Sequence, residues 1–150
     1  MFTRALIGSV FAFVAVGLAA ADNPRDQDEA VVTRGELEGV WATLSFTYDG
    51  TFESSDLSSA TPAFSFVFKG NRFSQRLGED WVSGRFTALA AGKSGDIDLM
   101  FFAGVRRTGI FRFDGPDRLT LCLRGKERPT EFESKPGSGR LLVVLKRVKP

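Results

Sequence analysis

The chain of 150 residues contains no histidine and a single cysteine, Cys122. The first absence removes histidine-based triads, the commonest general base and the commonest metal ligand together. The second excludes a disulfide framework and any cysteine-rich zinc site. An excess of one charge sign is lacking too: 20 Lys and Arg stand against 18 Asp and Glu, a formal net charge of +2. Such a balance leaves no electrostatic footprint for nucleic acid. The Gly137-Ser138-Gly139 triplet is not followed by Gly-Lys-Ser/Thr, so it does not make a phosphate loop. The residue inventory therefore points to no cofactor and no metal.

What is present begins with a leader. Arg4 supplies a short positive region, Ala5 to Leu18 is apolar, and Ala19-Ala20-Ala21 places small residues before Asp22. This pattern predicts a secretory signal over 1–21, cleaved after Ala21, and hence an exported protein, periplasmic or secreted. The apolar run is short for a membrane anchor, and no later segment is apolar enough to span a bilayer. Residues 22–32 are polar and charged and read as a flexible lead-in to one domain over 33–150. Thr33-Arg34-Gly35-Glu36 fits a capping box and predicts a short helical turn at the start of that domain.

From Gly39 onward the periodicity is that of strands. Eight are predicted: Val40–Tyr48, Ala63–Lys69, Arg72–Leu77, Trp81–Ala88, Asp96–Phe102, Arg107–Phe113, Arg118–Leu123 and Arg140–Val148. Phe64, Phe66 and Phe68 share one face, as do Ile97, Leu99 and Phe101, and Leu119, Leu121 and Leu123. A period of two with one apolar face marks half-buried antiparallel strands. Gly70-Asn71 and Asp114-Gly115 are turn signals, and the gaps leave no room for crossover helices. The implied class is all-β, an eight-stranded antiparallel up-and-down barrel. Two connections are long, 49–62 and 124–139. In an up-and-down barrel both fall at one end, opposite the tight turns, which describes a cup with a closed base and an elaborated rim.

Leu37-Glu38-Gly39-Val40-Trp41 carries a G-x-W start. Gly109-Ile110-Phe111-Arg112-Phe113-Asp114-Gly115, Arg128-Pro129-Thr130-Glu131-Phe132, Ser134-Lys135-Pro136-Gly137-Ser138-Gly139 and Leu145-Lys146-Arg147 follow it. Together these resemble a family of small, often exported lipocalin-like domains that is heavily multiplied in planctomycete bacteria. The resemblance covers about Glu36 to Val148 and implies a lipocalin-like barrel whose Trp41 packs across the closed end. It brings no established activity.

The face expected to point inward carries Leu44, Phe46, Phe64, Phe66, Phe68, Phe73, Phe86, Phe101, Phe111, Phe113, Leu121 and Leu145. Eight strands enclose an interior that side chains just fill, or that holds one small ligand. The candidate cavity wall is Phe46, Phe64, Phe66, Phe68, Phe86, Phe101 and Phe111. Candidate rim-loop residues are Phe52, Arg128, Phe132 and Lys135. The first strand poses a conflict. Val40, Ala42, Leu44 and Phe46 share the face opposite Trp41, so parity alone cannot bring both sets inside.

Catalytic candidates are few. Asp96 and Asp98 point the same way and suit acid–base work or a cation, but as the outward face of a strand they read as solvated. Arg106-Arg107 reads as a surface turn. Ser138 has no histidine to activate it and lacks the nucleophile-elbow pattern. Cys122, between Leu121 and Leu123, reads as a packed thiol. The pattern leads to a non-catalytic exported protein that holds a small apolar molecule in the barrel. The alternative is a solid barrel that binds an envelope protein through its long loops.

Overall fold

The computed structural model describes residues 35–54 and 64–149. The expected leader, the lead-in and Thr33 lie outside these residues, as does most of the first long connection. Among the described residues nine strands form: β1 (Gly39–Tyr48), β2 (Thr51–Ser54), β3 (Phe64–Lys69), β4 (Arg72–Leu77), β5 (Asp80–Ala91), β6 (Ser94–Phe101), β7 (Arg106–Phe113), β8 (Arg118–Arg124) and β9 (Leu141–Val148). Every pairing is antiparallel, β3 to β9 follow in chain order, and β1 closes the wall against β9. The result is an eight-stranded barrel with one extra strand, β2.

The extra strand arises from a turn inside the first long connection. Asp49 and Gly50 both take positive φ, 47° and 85°. Two such residues in succession make the tight hairpin turn whose twist matches the flanking strands. Tyr48 then pairs with Thr51. One edge of β1 is thereby shared: β3 pairs with it from Gly39 to Ala42, and β2 takes it from Ser45 to Tyr48.

A β-bulge resolves the parity conflict in β1. Along β9, Thr43 pairs with Leu145 and Ser45 with Val144, which leaves Leu44 as the extra residue. The inserted residue reverses the alternation. Trp41 and Thr43 face inward below the bulge, and Phe46 and Tyr48 face inward above it. Leu44, expected inside, is instead the bulge residue and stands outside the core cluster.

The lower half of the barrel is solid. Trp41, Phe66, Phe68, Phe73, Phe111, Ile97, Leu99, Leu119, Leu121 and Leu145 are all fully buried. Phe68 meets Phe86 edge to face at 5.0 Å, and Phe111 meets Phe113 at 5.8 Å. Such ring pairs add to the stabilisation from burial itself. A helical turn over 35–37 closes the base, with Leu37 buried beneath the barrel. Trp41 Nε1 donates to the Leu37 carbonyl at 2.8 Å. The Arg147 guanidinium lies 4.2 Å from the Trp41 ring centre and donates to the carbonyls of Glu38 and Glu36 at 2.7 and 2.6 Å. The indole is thus sealed by a cation that is itself held in place, at the end where the tight turns lie.

Candidate functional site

The upper half of the barrel is open. The inward positions of β3 to β9 there are Phe64, Gln75, Leu77, Val82, Phe101, Arg107, Leu123 and Leu141, set by the same alternation that fills the base. An open cavity of about 580 Å³ lies among them, walled by Gln75, Val82, Phe101, Arg107, Leu123 and Leu141. A second lobe of about 230 Å³ lies beside β1, between Thr43, Phe46, Phe64, Phe66 and Val143. Gln75, Leu77 and Leu141 border both, so the two are lobes of one cup. The larger lobe falls within the roughly 300–1,000 Å³ usual for small-molecule sites.

Of the predicted wall residues, Phe46, Phe64, Phe66 and Phe101 line the cup. Phe68, Phe86 and Phe111 do not; they are buried in the solid lower half. The lip carries Trp81, Phe102 and Val105, exposed by 53%, 62% and 52%. Their turn is firmly built: the Phe101 N–H donates to the Val105 carbonyl at 2.8 Å, and the Phe102 N–H to the Ser83 carbonyl at 3.0 Å.

The basic doublet expected as a surface turn divides between the two faces of β7. Arg106 points out and meets Asp98 at 3.3 Å. Arg107 pairs across the ladder with inward Leu99 and lines the larger lobe. Among the described residues it is the one charged side chain on the wall of the cup. Thr43 is a further polar feature: it is buried, and its Oγ1 meets no hydrogen-bond partner among the described residues. Both were signalled by parity, Arg107 by Phe111 and Phe113 on its own strand, Thr43 by Trp41.

The seventh connection is not a rim. It lies as a strap along the outer wall of β6 to β8. Arg128 anchors it: Nη1 donates to the carbonyls of Gly109 and Ile97 at 2.6 and 3.3 Å, Nη2 donates to Asp98 Oδ1 at 2.8 Å, and Nε lies 3.6 Å from Asp96 Oδ2. The paired carboxylates expected to be solvated are therefore the ionic seat of this strap. Pro129 beside the anchor is buried. Phe132 packs outside the barrel, under the Arg112 guanidinium at 4.5 Å. Arg128 and Phe132, expected at the rim, thus belong to the outer wall, because their partners are outward groups of β6 and β7.

Beneath the strap lies Cys122, an outward residue of β8 that is nevertheless fully buried. Its thiol donates to the Glu133 carbonyl at 3.7 Å. Burial pushes the thiol pKa up, against smaller opposing effects from that hydrogen bond and from Arg140. The strap then returns over the β1–β2 turn. Gly50 N–H donates to Ser134 Oγ at 3.2 Å and Gly139 N–H to Asp49 Oδ1 at 2.9 Å. Lys135 is exposed and pairs with Glu133 at 3.4 Å. Ser138 Oγ donates to the Lys135 carbonyl at 2.5 Å, a turn-forming contact to backbone. Phe52 stands on β2, 66% exposed.

No family model, no curated protein and no solved structure matches this chain. Among the described residues no helix is long and apolar enough to cross a membrane.

Proposed function

We propose that this chain is a non-catalytic binding domain of the lipocalin-like kind, which holds a small, mainly apolar molecule in the upper half of its barrel. One observation carries the reading: a cavity of about 580 Å³, bordering a second lobe across Gln75, Leu77 and Leu141, in a barrel whose other half is packed solid. Binding would proceed by burial of apolar ligand surface, at roughly 25 cal/mol per Å² removed from water. The sealed base supports entry through the mouth alone. The leader over 1–21 supports export, and with it a ligand met outside the cytoplasm.

Native mass spectrometry of the protein purified from its own host, with solvent extraction, tests this. A discrete co-purified mass of small-molecule size is expected, lost on Phe101→Gln. A bare chain that also takes up no apolar probe overturns the reading. The exposed side chains of Trp81, Phe102 and Val105 favour a second reading, an envelope module that docks a protein partner on the lip. That reading predicts loss of the partner on Phe102→Ser with cavity binding absent throughout.

A further inference from the structure

The cup reading leaves the chemistry of the ligand open, and Arg107 narrows it. Resting on that reading, we propose that the ligand is an amphiphile with a single anionic head, and that Arg107 is the residue that receives the head.

Three observations support this. First, Arg107 is the one charged group on the wall of the cup among the described residues, and no carboxylate shares that wall. Second, its neighbour Arg106 shows what an outward arginine on this strand does: it pairs with Asp98 at 3.3 Å. Arg107 is turned away from the acidic seat formed by Asp96 and Asp98, which Arg128 already occupies at 2.8 Å from Asp98. Third, the surroundings of Arg107 are apolar: Leu99 lies opposite it on β6, and Phe101 and Leu123 flank it on the wall. A partly buried arginine against such a wall gains most from an acceptor that arrives with its own negative charge.

The chemistry of the head follows from the donor. A guanidinium presents a planar fork that engages carboxylate, sulfate and phosphate oxygens in pairs, so the shared feature is a tetrahedral or planar oxyanion. Gln75, on the wall of both lobes, adds an amide. The apolar body would then extend past Phe101 and Leu141 towards the smaller lobe. The competing account of Arg107 is that its stem covers apolar wall while its head keeps the mouth wet. The two differ in whether affinity tracks the ligand's charge.

Two fluorescent probes with the same ring system separate them: anilinonaphthalene sulfonate, which is anionic, and N-phenylnaphthylamine, which is neutral. Both are titrated into the full chain and into Arg107→Gln and Arg107→Lys, with unfolding midpoints recorded to show that the variants are folded. The expected result is tighter binding of the sulfonate, a loss of roughly tenfold or more on Arg107→Gln, and unchanged binding of the amine. Arg107→Lys restores part of the loss. Displacement by decanoate, decyl sulfate and decyl phosphate then ranks the oxyanion, with decanol as the uncharged control. Equal affinity for the two probes, or an equal loss of both on Arg107→Gln, overturns the anionic head and leaves the cup reading standing. Failure of both probes to bind removes the cup reading, and this inference with it.

Discussion

Thr43 and Arg107 are two of the residues at which the wall of the cup departs from apolar packing, and the Thr43 hydroxyl has no hydrogen-bond partner among the described residues. A buried hydroxyl without a partner forfeits about 1–3 kcal/mol of desolvation. Thr43→Val removes the hydroxyl and keeps the shape, so urea unfolding of the unliganded protein should show a gain of about 1 kcal/mol. An unchanged midpoint would mean that the hydroxyl is already satisfied. A gain in stability accompanied by weaker ligand binding would be the signature of a group kept for function. Both residues were legible from strand parity. Arg107 was obscured because a basic doublet beside a turn is usually solvated, and Thr43 because the bulge at Leu44 hid which half of β1 pointed inward. A bulge adds a residue to one strand relative to its partner, so it is visible only in the register between β1 and β9.

Among the elements, the strap was the least legible. Its length and its proline were plain, but its seat was not, because Arg128 reaches two carboxylates about thirty residues earlier and two backbone carbonyls. No spacing in the chain encodes such contacts. The strands were the most legible element, since each repeats its signal every second residue. β2 was missed: the Asp-Gly turn signal was present, but Phe52 is the one large apolar residue of that short strand. Two predictions concern the strap. Arg128→Ala should free it from β6 and β7 and make Cys122 react readily with a thiol reagent under native conditions, while the wild-type thiol stays protected. Arg128→Lys should protect it less well than arginine, because an ammonium lacks the fork that serves several acceptors at once. Equal labelling rates in all three proteins would show that the strap does not shield the thiol. The second prediction is a pH dependence. The folded state holds the Cys122 proton more tightly than the unfolded chain does, since burial raises its pKa above the ordinary value of 9.0. This contribution to stability is complete below that value and is lost as pH rises through the higher folded one. Unfolding free energy should therefore fall above pH 9.0 more steeply in the wild type than in Cys122→Ala.

For the whole molecule, the barrel class and the closed base followed from strand count and turn length, and a filled or an open interior did not. Rings are plentiful enough to fill it, yet they are distributed unevenly along the axis: the base takes Phe68, Phe73, Phe86 and Phe111, and the mouth receives Gln75, Leu77 and Arg107. The wall also varies in its stiffness. Around most of the circumference it is a continuous ladder, but among the described residues β1 and β3 pair only from Gly39 to Ala42, and nearer the mouth the Phe46 ring of β1 and the Phe64 ring of β3, 5.1 Å apart, span the seam instead. Amide hydrogens near Phe64 should therefore exchange with solvent faster than those of Phe111 and Leu121, and equal protection would show the wall to be stiff all the way round. Among the described residues, a wall bonded all round its base but open along one seam near the mouth behaves as a split collar does. Its girth changes at the split before it changes elsewhere, so a bulkier cargo would be admitted by parting two aromatic rings while every strand pairing of the barrel is kept.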